Sequence, residues 1–124
     1  MTLLDYFENT KGSGVLATAN SKGDVDVAIY ARPHVIDEEN IAFIMNERLS
    51  YHNIVENPKA AYIFQEDGPG YQGKRLYLTK TRQDSNPETI NAFRRKCSNH
   101  TYSEETKKHL VYFHIDKIRK IIDK

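Results

Sequence analysis

Arg48 and Ser50 stand two places apart in the stretch Asn46 to Pro58, NERLSYHNIVENP, which lies between two strand-like runs. Ser50 is placed to cap a short helix, and Asn57-Pro58 to end it. A helix start presents free backbone N–H groups and the positive end of a dipole. A guanidinium just ahead of it therefore makes an anion pocket, most simply for a phosphate. The competing reading is a solvated arginine beside an ordinary connecting helix, and spacing alone leaves both open.

Other chemistry has weaker support. The five histidines, His34, His52, His100, His109 and His114, lack the spacing of a metal-ligand set. His109 and His114 fall on opposite faces if their segment is a regular strand. Cys97 is the only cysteine and sits among Arg94, Arg95 and Lys96. Those cations favour its thiolate, yet no base with an orienting partner accompanies it. No nucleophile elbow or Ser-His-Asp order is visible. No carboxylate stands in an apolar run where its pKa would rise. Redox or transfer chemistry here would have to come from a cofactor.

The elements that would position these residues can be followed along the chain. Leu3, Leu4, Tyr6 and Phe7 have helical spacing, and Lys11 to Gly14 ends that helix. Val15 to Ala19 is a short strand, and Ser21 to Asp24 a turn with Gly23 where positive φ is cheap. Val25 to Arg32 alternates, with Val25, Val27, Ile29 and Ala31 on one face and Asp26, Ala28, Tyr30 and Arg32 on the other. Pro33 ends central pairing, and His34 to Ile36 continues beyond it. Ile41 to Met45 is apolar throughout, as for a strand buried on both faces. Lys59 to Phe64 and Lys74 to Thr81 are strands joined by the glycine-rich loop Glu66 to Gly73, with Tyr71 in its middle. Asn86-Pro87 starts a helix carrying Ile90, Phe93 and Cys97 on one face. Asn99 to Lys108 is polar and loose, His109 to Ile115 is a last strand, and Ile118, Ile121 and Ile122 form a final short piece. Connections this short exclude repeated parallel crossovers and predict a mainly antiparallel sheet curled into a small barrel, with helices at its ends.

At 124 residues and a net charge of +1 with acids and bases interspersed, residues 1–124 make a single domain without the basic footprint of a nucleic-acid binder. A lone cysteine fits a reducing compartment. Asp5, Glu8 and Lys11 interrupt the first apolar residues, and no run is long enough to span a bilayer. The expectation is a cytoplasmic protein.

Three segments, GVLATANSKGDVDVAIYARPHVI, IAFIMNERLSYHNIVENPKAAYIF and GPGYQGKRLYL, together resemble the pyridoxamine 5'-phosphate oxidase-like proteins over about Gly14 to Thr81. The resemblance implies a mainly β, six-stranded antiparallel split β-barrel with short flanking helices, a homodimer, and FMN at the interface between subunits. It places Arg48, Leu49, Ser50 and Asn53 at the flavin phosphate, with Met45 and Asn46 in the loop that takes the ring edge and the phosphate. Tyr30, Ala31 and Arg32 would lie along the ring, and the Tyr71 loop of a partner subunit over the site. A filled barrel of this size would carry its flavin outside, between two subunits. The implied function is that of an FMN-dependent oxidoreductase or electron carrier using a nicotinamide or other small redox substrate. Because KIRKIIDK matches no extended substrate motif, the expectation is not a true pyridoxamine phosphate oxidase. Related barrels bind haem or the deazaflavin F420, and a non-catalytic haem- or flavin-binding role is the alternative.

Overall fold

Alternation of apolar and polar residues at period two dominates the chain, and the structure, a computed structural model that describes residues 2–94 and 107–122, is built on strands. In order these are α1 (Leu3–Asn9), β1 (Gly12–Ala19), β2 (Val25–Ile29), β3 (His34–Val35), β4 (Asn40–Asn46), α2 (Leu49–Glu56), β5 (Lys59–Glu66), β6 (Gly73–Asp84), α3 (Pro87–Arg94) and β7 (Lys108–Lys120). The predicted cysteine face at Cys97 and most of the polar stretch from Asn99 lie outside the described residues.

All seven strands belong to one sheet in the order β2-β1-β5-β6-β7-β4-β3, and every neighbouring pair is antiparallel. Consecutive strands β2 and β3 occupy its two edges, so residues 30–33 bridge them and the sheet curls into a barrel split along that line. The Tyr62 hydroxyl holds this bridge from inside by donating toward the carbonyls of Tyr30 and Ala31, 3.2 and 3.0 Å away. The Tyr30 ring packs edge-on against Phe43 of β4, with centroids 5.6 Å apart.

Seven strands replace the expected six because Pro33 divides one predicted strand. With no N–H to donate, Pro33 breaks the Val25–Arg32 run, which ends at Ile29; pairing resumes where His34 and Val35 face Ala42 and Ile41. At the other end of the chain the expected final piece is continuous with β7, which pairs with β6 as far as Lys74↔Lys120.

The core is the inner face of this sheet. Leu16, Met45, Phe64, Leu76, Leu78, Val111 and Phe113 are fully or almost fully buried. Short α1 closes one end through Leu3 and Phe7, whose ring meets Phe64 edge-on at 5.3 Å. The two ends of α1 are held from the turn between β3 and β4 and from the bridge. The Leu3 N–H donates to the Glu38 carboxylate, and the Arg32 guanidinium donates to the Phe7 carbonyl at 2.6 Å. Gly23, at φ +85°, makes the predicted turn between β1 and β2.

Candidate functional site

The chain leaves β4 at Asn46, turns sharply, and enters α2 within three residues. The Arg48 N–H donates to the Asn46 carbonyl at 2.8 Å, and the Glu47 N–H to the Lys107 carbonyl at 2.9 Å. This turn makes Arg48 the N-cap of α2, with extended backbone and no side-chain cap bond. The expected Ser50 cap is therefore corrected. The turn after β4 starts the helix before Ser50, which becomes its second residue. There it is buried, with its hydroxyl placed to oppose the rise in the Tyr30 phenol's pKa. The first helical bond runs from the His52 N–H to the Arg48 carbonyl, leaving the N–H groups of Leu49, Ser50 and Tyr51 without a helical partner.

A cleft of about 400 Å³ opens in front of this corner. β2 and the bridge contribute Asp26, Ala28, Tyr30, Ala31 and Arg32; β4 and the start of α2 contribute Phe43, Asn46, Arg48, Leu49 and Ser50. Burial pushes the Tyr30 phenol above its ordinary pKa, the Ser50 hydroxyl opposes that rise, and the Asp26 charge adds to it. Tyr30 is thus held as a neutral phenol. The Arg48 guanidinium is exposed and has no acid partner among the described residues. Asn46 Oδ1 is buried without a hydrogen-bond partner, a state that ordinarily costs about 1–3 kcal/mol.

Seven of the ten residues expected at the site, Tyr30, Ala31, Arg32, Asn46, Arg48, Leu49 and Ser50, line this one cleft. Three do not. The Met45 side chain is wholly buried in the core, since alternation along β4 turns it away from Asn46. Asn53 is buried one turn into α2, and its amide donates to Thr18 Oγ1 at 3.1 Å, tying the helix to β1. Tyr71 lines a second hollow with Lys74, Arg119 and Lys120. Arg32 reaches the cleft with one guanidinium nitrogen already committed to the end of α1. Ala28 and Ile29, within the strand from Ala28 to Arg32 that the resemblance lays along a flavin, line the cleft too, and Asp26, His34, Phe43 and Ile44 do so without having been expected there. The signal for Asp26 was present, because it shares the alternating face of Tyr30. His34, Phe43 and Ile44 depend on the closure of the sheet.

The sequence matches no established family profile and no curated protein. Solved structures do resemble it. An FMN-binding protein from Syntrophomonas wolfei superposes with a TM-score of 0.79 at 19% identity, over 95% of this chain and 82% of that one. A putative pyridoxamine 5'-phosphate oxidase from Lactobacillus delbrueckii gives 0.69 at 19% identity, over 94% and 88%. A heme binding protein from Mycobacterium smegmatis gives 0.65 at 12% identity, over 93% of this chain and 50% of that longer one.

Proposed function

We propose, from the premise that this chain has the split-barrel fold of the pyridoxamine 5'-phosphate oxidase-like proteins, that its cleft binds FMN at the interface of a homodimer. The protein would then act as an oxidoreductase or electron carrier. One observation carries the reading. An arginine without an acid partner among the described residues caps α2 beside three backbone N–H groups that have no helical partner, at the edge of the cleft.

The residues present fit such a group. Arg48 and the first turn of α2 suit a dianionic phosphate, each charge-assisted hydrogen bond contributing about 1.5–3 kcal/mol. Phe43, Ile44 and Ile29 supply apolar wall for a flat ring and keep water from it. Tyr30 and Ser50 both line the wall of the cleft. When bound, the flavin supplies hydride or single-electron transfer, with a nicotinamide as the natural reductant class.

The dimer has its own support. Val25, Val27 and Ile29 of edge strand β2 are 82%, 67% and 86% exposed, and Leu49 is exposed beside the cleft. Burying each such side chain stabilises by about 1.5–3 kcal/mol. A second copy on this edge would cover them and wall the open side of the cleft, since Ile29 and Leu49 belong to both. No described helix is long and apolar enough to cross a membrane. A cytoplasmic location completes the proposal, resting on the lone cysteine.

His34 in the same cleft favours one second reading, in which it ligates haem iron. The visible spectrum of the purified protein separates the two. Flavin bands, present on purification or gained on adding FMN, support the first, and a Soret band supports the second. A colourless protein that takes up neither overturns both. Anaerobic titration with NADH and NADPH then divides an enzyme, whose flavin bleaches, from a carrier.

A further inference from the structure

His109 is the one buried histidine among the described residues, 7% exposed, and both its ring nitrogens are engaged. Nδ1 lies 2.5 Å from Ser85 Oγ, and Nε2 lies 3.1 Å from Glu47 Oε1. The Tyr51 ring stacks on the imidazole at 4.0 Å and 5°, and the Gln83 amide donates to the Tyr51 hydroxyl at 2.7 Å. The loop after β6, the turn after β4 and α2 thus hold one imidazole between a hydroxyl and a carboxylate. The FMN reading uses none of these contacts.

We propose that Ser85, His109 and Glu47 form a nucleophilic site for small carboxylic esters. Three features argue for it. The order hydroxyl, imidazole, carboxylate is the one that nucleophilic serine chemistry requires, with a base in hydrogen-bond reach and a third group orienting it. Glu47 on Nε2 favours the tautomer that carries its proton there, which leaves the Nδ1 lone pair facing the serine. Accessibility is graded correctly, since Ser85 is exposed while the base behind it is buried and locked by Tyr51.

A further feature assists the developing charge. Ser85 immediately precedes Asn86, whose Oδ1 accepts the Glu88 N–H at the start of α3. The attacked carbonyl would therefore lie at the positive end of an eight-residue helix, where negative charge is favoured.

In the first step Ser85 Oγ bonds to the ester carbonyl carbon while its proton passes to His109 Nδ1. The carbon–alkoxy bond then breaks, and the leaving alcohol takes that proton. In the second step water attacks the acyl-serine, His109 accepts the water proton, and it returns a proton to Ser85 Oγ as the acid departs. The sum is ester plus water giving acid plus alcohol, with no change of oxidation state. The proposed substrates are small esters with good leaving groups, whose departure needs the least assistance.

The full chain is mixed with p-nitrophenyl acetate, nitrophenolate release is followed, and the acetylated residue is mapped by peptide mass spectrometry. Acetyl on Ser85 is expected, with a burst of release that Ser85→Ala abolishes. His109→Gln should slow acylation by about 10²-fold or more, the usual worth of a positioned base. Because His109 is buried, Ser85→Cys provides a second probe. Its thiol should be alkylated by iodoacetamide faster at its own position than a Cys substituted at exposed Ser21. FMN uptake should be unchanged in Ser85→Ala, so loss of either activity leaves the other interpretable. Acetyl found only on lysines or Cys97, or a rate unaltered in Ser85→Ala, overturns the proposal.

Discussion

Arg48 shows how a single residue's role depends on what surrounds it. Its guanidinium is exposed, yet it stands at the N-cap of α2 with no carboxylate to neutralise it among the described residues. Replacing it with alanine removes a charged contact but no buried surface. Arg48→Ala should therefore weaken FMN binding more than about tenfold while the melting temperature stays put. Fluorescence titration of FMN alongside a thermal melt checks both, and an unchanged affinity would place the phosphate elsewhere. Glu47, its neighbour, turns the other way toward His109. Three consecutive side chains, Asn46, Glu47 and Arg48, thus serve two different surfaces. Ser50 was legible as a residue that matters near a helix start, although its place beside Tyr30 in the cleft was not, because Tyr30 comes from the bridge after β2, distant in sequence.

At the scale of elements, the strands follow from local pattern, and their junctions follow from backbone geometry. Gly73 opens β6 at φ +150°, opposite Gln65 of β5. A Cβ built there would lie 1.9 Å from the Phe64 carbonyl oxygen, which is main chain and cannot swing away. Gly73→Ala should destabilise by about 1–3 kcal/mol from backbone strain and a similar amount from overlap. The urea midpoint should fall while the slope of the transition remains the same. A variant as stable as the parent would mean that the loop ahead of β6 yields. Strand β2 was recognisable from its alternation. That its apolar face would look outward was not, because which side of a strand meets the core is decided by the rest of the sheet.

At the scale of the whole molecule, the outward apolar face of β2 and the acid response are the properties to test. Val27→Asp places a charge at the centre of that face, where one chain alone would tolerate it. The variant should remain folded by circular dichroism but run as a monomer in light scattering, with weakened FMN uptake. A variant that stays dimeric would move the interface elsewhere. Three carboxyls are held below their ordinary pKa. Asp37 is held by the Glu39 N–H and then the Asn40 amide, Glu56 by the Ser21 hydroxyl and then its N–H, and Asp116 by the Thr79 hydroxyl and then His114. A depressed folded-state pKa contributes stability that is complete above the ordinary values of 3.8 and 4.5, and that is lost as pH falls through the lower folded values. Melting temperature should hold level at neutral pH and drop below about 4.5, with a shallower drop in Glu56→Gln. An equal acid slope in that variant would remove the Ser21–Glu56 link from the account.

By itself the sequence determined most of the strands, the three helix locations and the antiparallel class. Each of these rests on residues close together in the chain, where period, capping and turn chemistry act. Only the tertiary structure decided that Tyr30 and Phe43 close the cleft, that Asn46 Oδ1 is left without a donor, and that Ser85, His109 and Glu47 meet. The last three residues come from β7, the loop after β6 and the turn after β4. Their meeting depends on sheet order, which is set by the burial of a whole inner face and leaves no mark on any single stretch of residues.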